Sequence, residues 1–221
     1  MYSLKTTSRT GTILFLFISF LFSTATQAQV IGIKAGYTDA WQYYGAVPLP
    51  PNAETHVKGY NVSLEYHKRI KSWFSLGLEP GLVRRGAACV PGWNGGIVPV
   101  FEGDTRWYLR YFEMPVTGRF SVPLFSSKLS LFAKLGYSPS YIVDAKQEKL
   151  DFLIGTSTTT RMNLKNSSVL HRFDHGFYSG AGLGYQLNAH QIFFEFDFYN
   201  GLRDAEKFNT SKNRDLDFSM G

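Results

Sequence analysis

The stretch Gln191-Ile-Phe-Phe-Glu-Phe-Asp-Phe-Tyr199 sets Ile192, Phe194, Phe196 and Phe198 on one side of an extended chain and Glu195 and Asp197 on the other. Apolar and charged positions thus alternate at period two, the signature of a strand with two unlike faces. A lipid-facing charge near the bilayer midplane costs roughly 2–4 kcal/mol for a base and less for an acid, whereas a polar barrel interior tolerates charge. This segment therefore points to a transmembrane β-barrel.

Seven further segments carry the same alternation: residues 30–41, 57–68, 72–84, 107–120, 128–143, 173–187 and a last one from about Asn213. In the second of these, Tyr60, Val62, Leu64 and Tyr66 oppose Asn61, Ser63, Glu65 and His67; in the fifth, Leu129, Leu131, Ala133, Leu135 and Tyr137 oppose Ser130, Phe132, Lys134, Gly136 and Ser138. Pro80 and Pro115 interrupt the third and fourth segments, because proline brings no N–H to a ladder and favours a local irregularity. The chain is expected to be all-β, an eight-stranded antiparallel up-and-down transmembrane barrel.

The connections alternate in length, as they do where strands are joined by short periplasmic turns and longer outer loops. Residues 69–71, 121–127 and 188–190 are the short ones, and 42–56, 85–106, 144–172 and 201–212 the long ones, with 156–160 read as a polar loop tip. A soluble sandwich has no reason to alternate in this way, and long loops in a compact domain are usually functional.

Lys5 and Arg9, an apolar run from Ile13 to Phe22 broken only by Ser19, and a small polar stretch ending at Ala28 read as a secretory signal peptide over residues 1–28. The run is too short to span a bilayer as a helix. The expected domain is then 29–221. Cys89, the single cysteine, can form no internal disulfide. The full-chain charge of +6 falls to +4 without Lys5 and Arg9, and the basic residues are dispersed, so no nucleic-acid partner is expected. Aromatics at 16% and 21 glycines suit interfacial girdles and crowded strands.

With the apolar set facing lipid, a polar lumen network receives Lys34, Glu65, Glu79, Glu113, Arg119, Lys134, Glu195, Asp197 and Asp217, together with His67 and Asp215. Eight strands enclose only a space that side chains fill, so these groups should pair into a charged plug. Glu113 is expected at its centre, with Arg119 and Lys134 on neighbouring strands. Ser63 with His67 is a weak nucleophile–base pair, and His171 with His175 has helical zinc spacing at a loop-to-strand junction, where it aligns poorly. No catalytic, metal or cofactor residues are assigned. The aromatic long loops could bind another protein or a glycan.

Tyr111-Phe112-Glu113-Met114-Pro115 resembles the Tyr-x-Glu-x-Pro strand of PorT-like outer membrane β-barrel proteins. The resemblance extends through Phe132-Ala-Lys-Leu-Gly-Tyr-Ser138, Gly180-Ala-Gly-Leu-Gly-Tyr185 and Asn213-Arg214, and covers most of the mature chain. It implies a small barrel in the outer membrane of a Gram-negative cell, without catalytic residues. Its partners would be outer membrane lipid and other envelope or secretion proteins reached through the loops. For the namesake branch it implies support of type IX secretion and gliding. Such chains usually end in an apolar strand with a terminal aromatic, whereas this one stops at Met220-Gly221, so the last strand reads as truncated and barrel closure as an open question. Periodicity alone does not say which face is inside; a small pore, a soluble lipocalin-like barrel with the apolar set inward, and a lipid-modifying barrel enzyme are the competing readings.

Overall fold

The computed structural model describes residues 29–44, 56–89, 104–124, 128–151, 155–164, 170–188, 190–204 and 211–221. The segment 1–28 and the expected cleavage after Ala28 lie outside them. The strands are β1 (Gln29–Tyr44), β2 (His56–Lys71), β3 (Phe74–Leu78), β4 (Gly81–Cys89), β5 (Asp104–Glu113), β6 (Val116–Leu124), β7 (Leu129–Asp151), β8 (Thr156–Arg161), β9 (Phe173–Leu187), β10 (His190–Asp204) and β11 (Ser211–Met220). They form one antiparallel sheet.

Eight staves make the wall, because β3 with β4 and β5 with β6 are each one stave interrupted at a proline. Strand β2 pairs with both β3 and β4, and β7 pairs with both β5 and β6. The ladder still crosses each gap, since a proline keeps its carbonyl. Leu64 donates its N–H to Pro80 O at 2.9 Å, Glu79 to Pro115 O at 3.0 Å and Met114 to Pro139 O at 3.0 Å. The face parity is preserved across both breaks, with Glu79, Val83 and Arg85 all inward and Leu76 and Leu82 outward.

Strand β1 pairs with β2 on one side and with β11 on the other, from Ala35↔Met220 to Tyr44↔Ser211, so the sheet closes. Backbone bonds between Phe193 and Gly221 continue the β10–β11 seam. The expectation that closure was in doubt is thereby corrected: all ten residues of β11 pair with β1, and β11 pairs with β10 from Phe194↔Met220 to Asn200↔Arg214 before a register shift to Asp204↔Lys212.

The wall is apolar outside and polar inside. Phe194 is 61% exposed, and Ile31, Leu64, Leu135, Phe177, Phe196 and Phe218 share its face, while Glu195, Asp197, Lys34 and Lys134 are buried. The lipocalin-like arrangement requires the reverse and is excluded. Aromatic clusters mark both ends of the wall, as in membrane barrels. At the short-turn end Trp73, Phe74 and Phe120 pack with centroids 5.0–5.9 Å apart; at the long-loop end Trp41 stacks on His56 and touches Phe198. Asn188, at φ 53°, supplies the left-handed turn residue between β9 and β10, a conformation asparagine tolerates better than most.

All four long connections contain more strand than expected, 42–44, 201–204 and 211–212 included. Residues 85–89 and 104–106 are the ends of β4 and β5. The polar tract 156–160 is exposed but is strand β8, paired with Lys146–Asp151 of β7. Beyond Tyr141, β7 leaves β9 and continues with β5 and β8 as a projecting flap. Hydrogen bonds from Ser157 and Tyr108 hold the Glu148 carboxyl on this flap below the usual carboxylate range.

Candidate functional site

The barrel interior is the site. Strands β1, β7 and β10 each direct alternate residues inward, and their polar members meet near mid-wall. The Lys34 ammonium lies 2.7 Å from Glu79, 2.6 Å from Glu195 and 3.4 Å from Asp197. The Lys134 ammonium reaches the same three acids at 3.2, 2.9 and 3.2 Å. Thr117 donates to Glu79 at 3.0 Å and Tyr178 to Asp197 at 2.7 Å. Three carboxylates thus share two ammoniums. Such a buried cluster holds together only because each charge has partners. Asp197 lies flush on the backbone of Gly180, where a Cβ would collide with its carboxylate.

A second cluster lies nearer the long loops. Arg85, 1% exposed, pairs with Glu113 at 2.6 Å and with Asp215. Its guanidinium stacks over Tyr199 at 4.0 Å and Tyr111 at 5.5 Å. Asn213 donates to Tyr111 at 3.0 Å and to Asp174 at 2.8 Å. Asp217 sits within electrostatic reach of Glu113, Arg85 and Lys34 and so links the two clusters. Beyond it, toward the long loops, Val83, Leu109, Tyr111, Ile142, Ala145 and Leu170 form an apolar cluster joined by Met162 and Leu164.

Of the nine residues expected in the lumen network, Lys34, Glu79, Lys134, Glu195 and Asp197 come together in the first cluster. Glu113 is drawn into the second by Arg85, not by Arg119 or Lys134. Arg119 has no carboxylate within ion-pair distance among the described residues; its guanidinium stacks 3.5 Å over Phe132 and 5.6 Å from Phe193. Arg85 stands outside the expected lumen set because residues 85–106 read as a loop, yet the inward parity of Glu79, Gly81 and Val83 continues to it.

Glu65 lies 3.8 Å from His67, and these two with Glu79 offer possible metal-ligand atoms within 4.8 Å of one another. Glu79 is already held on both oxygens by Lys34, Lys134 and Thr117, so the group is built as part of the ion-pair network. Ser63 Oγ and both His67 nitrogens lack hydrogen-bond partners and so do not bond each other as a nucleophile–base pair must. His171 bonds Arg203, while His175 packs between Tyr137 and Phe173, and the two share no metal-ligand cluster among the described residues.

A closed barrel with an apolar belt, aromatic ends and an ion-paired interior defines an integral membrane β-barrel protein. The chain belongs to the outer membrane protein beta-barrel domain family, whose model matches residues 55–206. Among solved structures it is similar to Ail, the attachment invasion locus protein of Yersinia pestis, at 15% identity over 89% of this chain and 98% of that one, TM-score 0.42. It is also similar to Neisserial surface protein A, at 10% identity over 88% and 97%, TM-score 0.45. Outer membrane protein OprG from Pseudomonas aeruginosa gives 10% identity over 88% and 93%, TM-score 0.45. No curated protein sequence matches the chain.

Proposed function

We propose that residues 1–28 are removed on export and that residues 29–221 form a non-enzymatic outer membrane barrel serving as a structural or interaction component of the envelope. The observation that carries this reading is the filled interior. Two ion-pair clusters and an apolar cluster occupy the lumen in series, leaving the two ends as the surfaces that meet other molecules. Lipid is the partner of the belt. The resemblance of Tyr111–Pro115 and the glycine-rich Gly180–Tyr185 strand to PorT-like proteins points the remaining contacts toward secretion proteins of the envelope, in an accessory role to type IX secretion.

The test is site-specific photo-crosslinking in the native envelope from Lys58 at the long-loop end and Lys71 at the short-turn end. Envelope proteins captured from one end, and not from a lipid-facing position such as Leu135, are the expected result. A chain that crosslinks only lipid and releases fatty acid from phospholipid vesicles would replace this reading with the enzymatic one.

A further inference from the structure

The short-turn end of the lumen opens into a cavity of about 240 Å³ that neither ion-pair cluster fills. One water needs roughly 10–15 Å³ by the same measure, so the cavity is large enough for a ligand of several heavy atoms. Its wall carries Arg69, Lys71, Arg119 and Lys128, with hydroxyls from Ser75, Ser121 and Ser130, and no Asp or Glu among the described residues lines it. The lining is therefore one-signed, with Glu65, Glu195, Glu79 and Asp197 behind it within electrostatic reach of Arg119 but outside the cavity wall. A concave site lined by one sign of charge focuses the field and concentrates ions of the opposite sign.

Arg119 gives the cavity its inner anchor. It is 6% exposed, lines the cavity and has neither hydrogen bond nor ion pair among the described residues. The guanidinium lies 3.5 Å over the Phe132 ring, with Phe193 5.6 Å away. A buried guanidinium that stacks on aromatic rings keeps its planar fork of donors available, a geometry that suits a phosphate oxygen pair. Arg69, Lys71 and Lys128 lie on the outer part of the same wall, and all three are exposed. Trp73 and Phe74, of the short-turn aromatic cluster, complete the rim, so a ligand can arrive either from solution or from the adjoining lipid leaflet.

We propose that this vestibule is a binding site for a phosphate-bearing anion, with Arg119 as inner ligand and Arg69, Lys71 and Lys128 as the outer cationic ring. The source of the phosphate is a soluble ester or the headgroup of an anionic phospholipid.

The test is calorimetric titration of the full chain with pyrophosphate in a neutral detergent at low ionic strength, folding being checked by heat-modifiable migration. Saturable binding is expected, weakened at least tenfold in R69Q/K128Q, whose substitutions are on the surface, and lost in R119Q. It should be unchanged in K58Q at the opposite end. Repeating the titration in nanodiscs of phosphatidylglycerol and of phosphatidylcholine separates the sources. An apparent affinity tenfold weaker in phosphatidylglycerol alone identifies a lipid headgroup, and equal affinities identify a soluble anion. Absence of saturable binding, or equal affinity in folded R69Q/K128Q and wild type, overturns the proposal.

Discussion

Arg85 and Arg119 are both arginines on inward positions of the same barrel, yet their surroundings differ. Arg85 pairs directly with both Glu113 and Asp215, whereas Arg119 stacks on Phe132 with no carboxylate at ion-pair distance among the described residues. Removing one partner of a buried ion pair leaves an uncompensated charge and costs about 3–5 kcal/mol. R85M should therefore destabilise the barrel by that amount in urea unfolding followed by tryptophan fluorescence, and R119M by clearly less. Adding D215N to R85M should recover part of the loss, the mark of a coupled pair. Gly180→Ala is the second residue-scale test. A Cβ there meets the Asp197 carboxylate and Phe196 O, so the variant should lower the unfolding midpoint more than Gly32→Ala, where the added Cβ has ordinary contacts of 3.8 Å with Glu65. Parity, which is local, makes Glu113, Arg119 and Asp215 legible as inward-facing in the sequence, whereas Arg85 falls in a stretch that reads as loop. Parity does not reveal that Glu113 meets Arg85, because contacts across the lumen depend on strand stagger, which no single strand encodes.

At the scale of strands, β10 joins the two faces most plainly. Phe196 is outward and neighbours the inward Glu195 and Asp197 near mid-wall. Phe196→Arg should cost roughly 2–4 kcal/mol in liposome unfolding, and Ile31→Arg, near the short-turn rim, roughly 0–1 kcal/mol. Equal costs would remove the depth dependence that a membrane belt requires. The β7–β8 flap makes a different prediction. Glu148 accepts from Tyr108 at 3.0 Å and Ser157 at 2.8 Å, bonds that favour its charged form and depress its pKa. A carboxyl depressed in the folded state contributes above its unfolded pKa, and that contribution is lost as pH falls through the folded value. Amide protection factors across Lys146–Arg161, exchange being corrected for its intrinsic pH dependence, should therefore fall as pH drops through the lowered Glu148 pKa, and Glu148→Gln should remove that component. The prolines that divide the third and fourth staves were visible as breaks in a period-two pattern. Strand β8 was not: Thr156–Arg161 has no apolar face, and its pairing depends on β7 extending past the wall.

For the molecule as a whole, conduction depends on seals arranged in series. Among the described residues, the apolar cluster around Leu170, 3% exposed, lies toward the long-loop end, the shared ion pairs of Lys34 and Lys134 fill the middle, and the short-turn end opens as a vestibule. A series path is limited by its tightest segment, so opening one seal changes little while the other stands. Reducing Met162 and Leu170 to glycine should leave planar-bilayer conductance at background. Combining that change with K34A/E195A, which removes one base and one acid together and so avoids a new net charge in the lumen, should produce discrete steps. Steps from M162G/L170G alone would mean that the ion-paired middle is permeable. Filling would then be only apparent, and the transport reading would displace the interaction reading. Background conductance in the four-substitution variant, with folding intact by heat-modifiable migration, would instead place a further seal at Arg85, where the guanidinium and its two acids fill the lumen between Tyr111 and Tyr199.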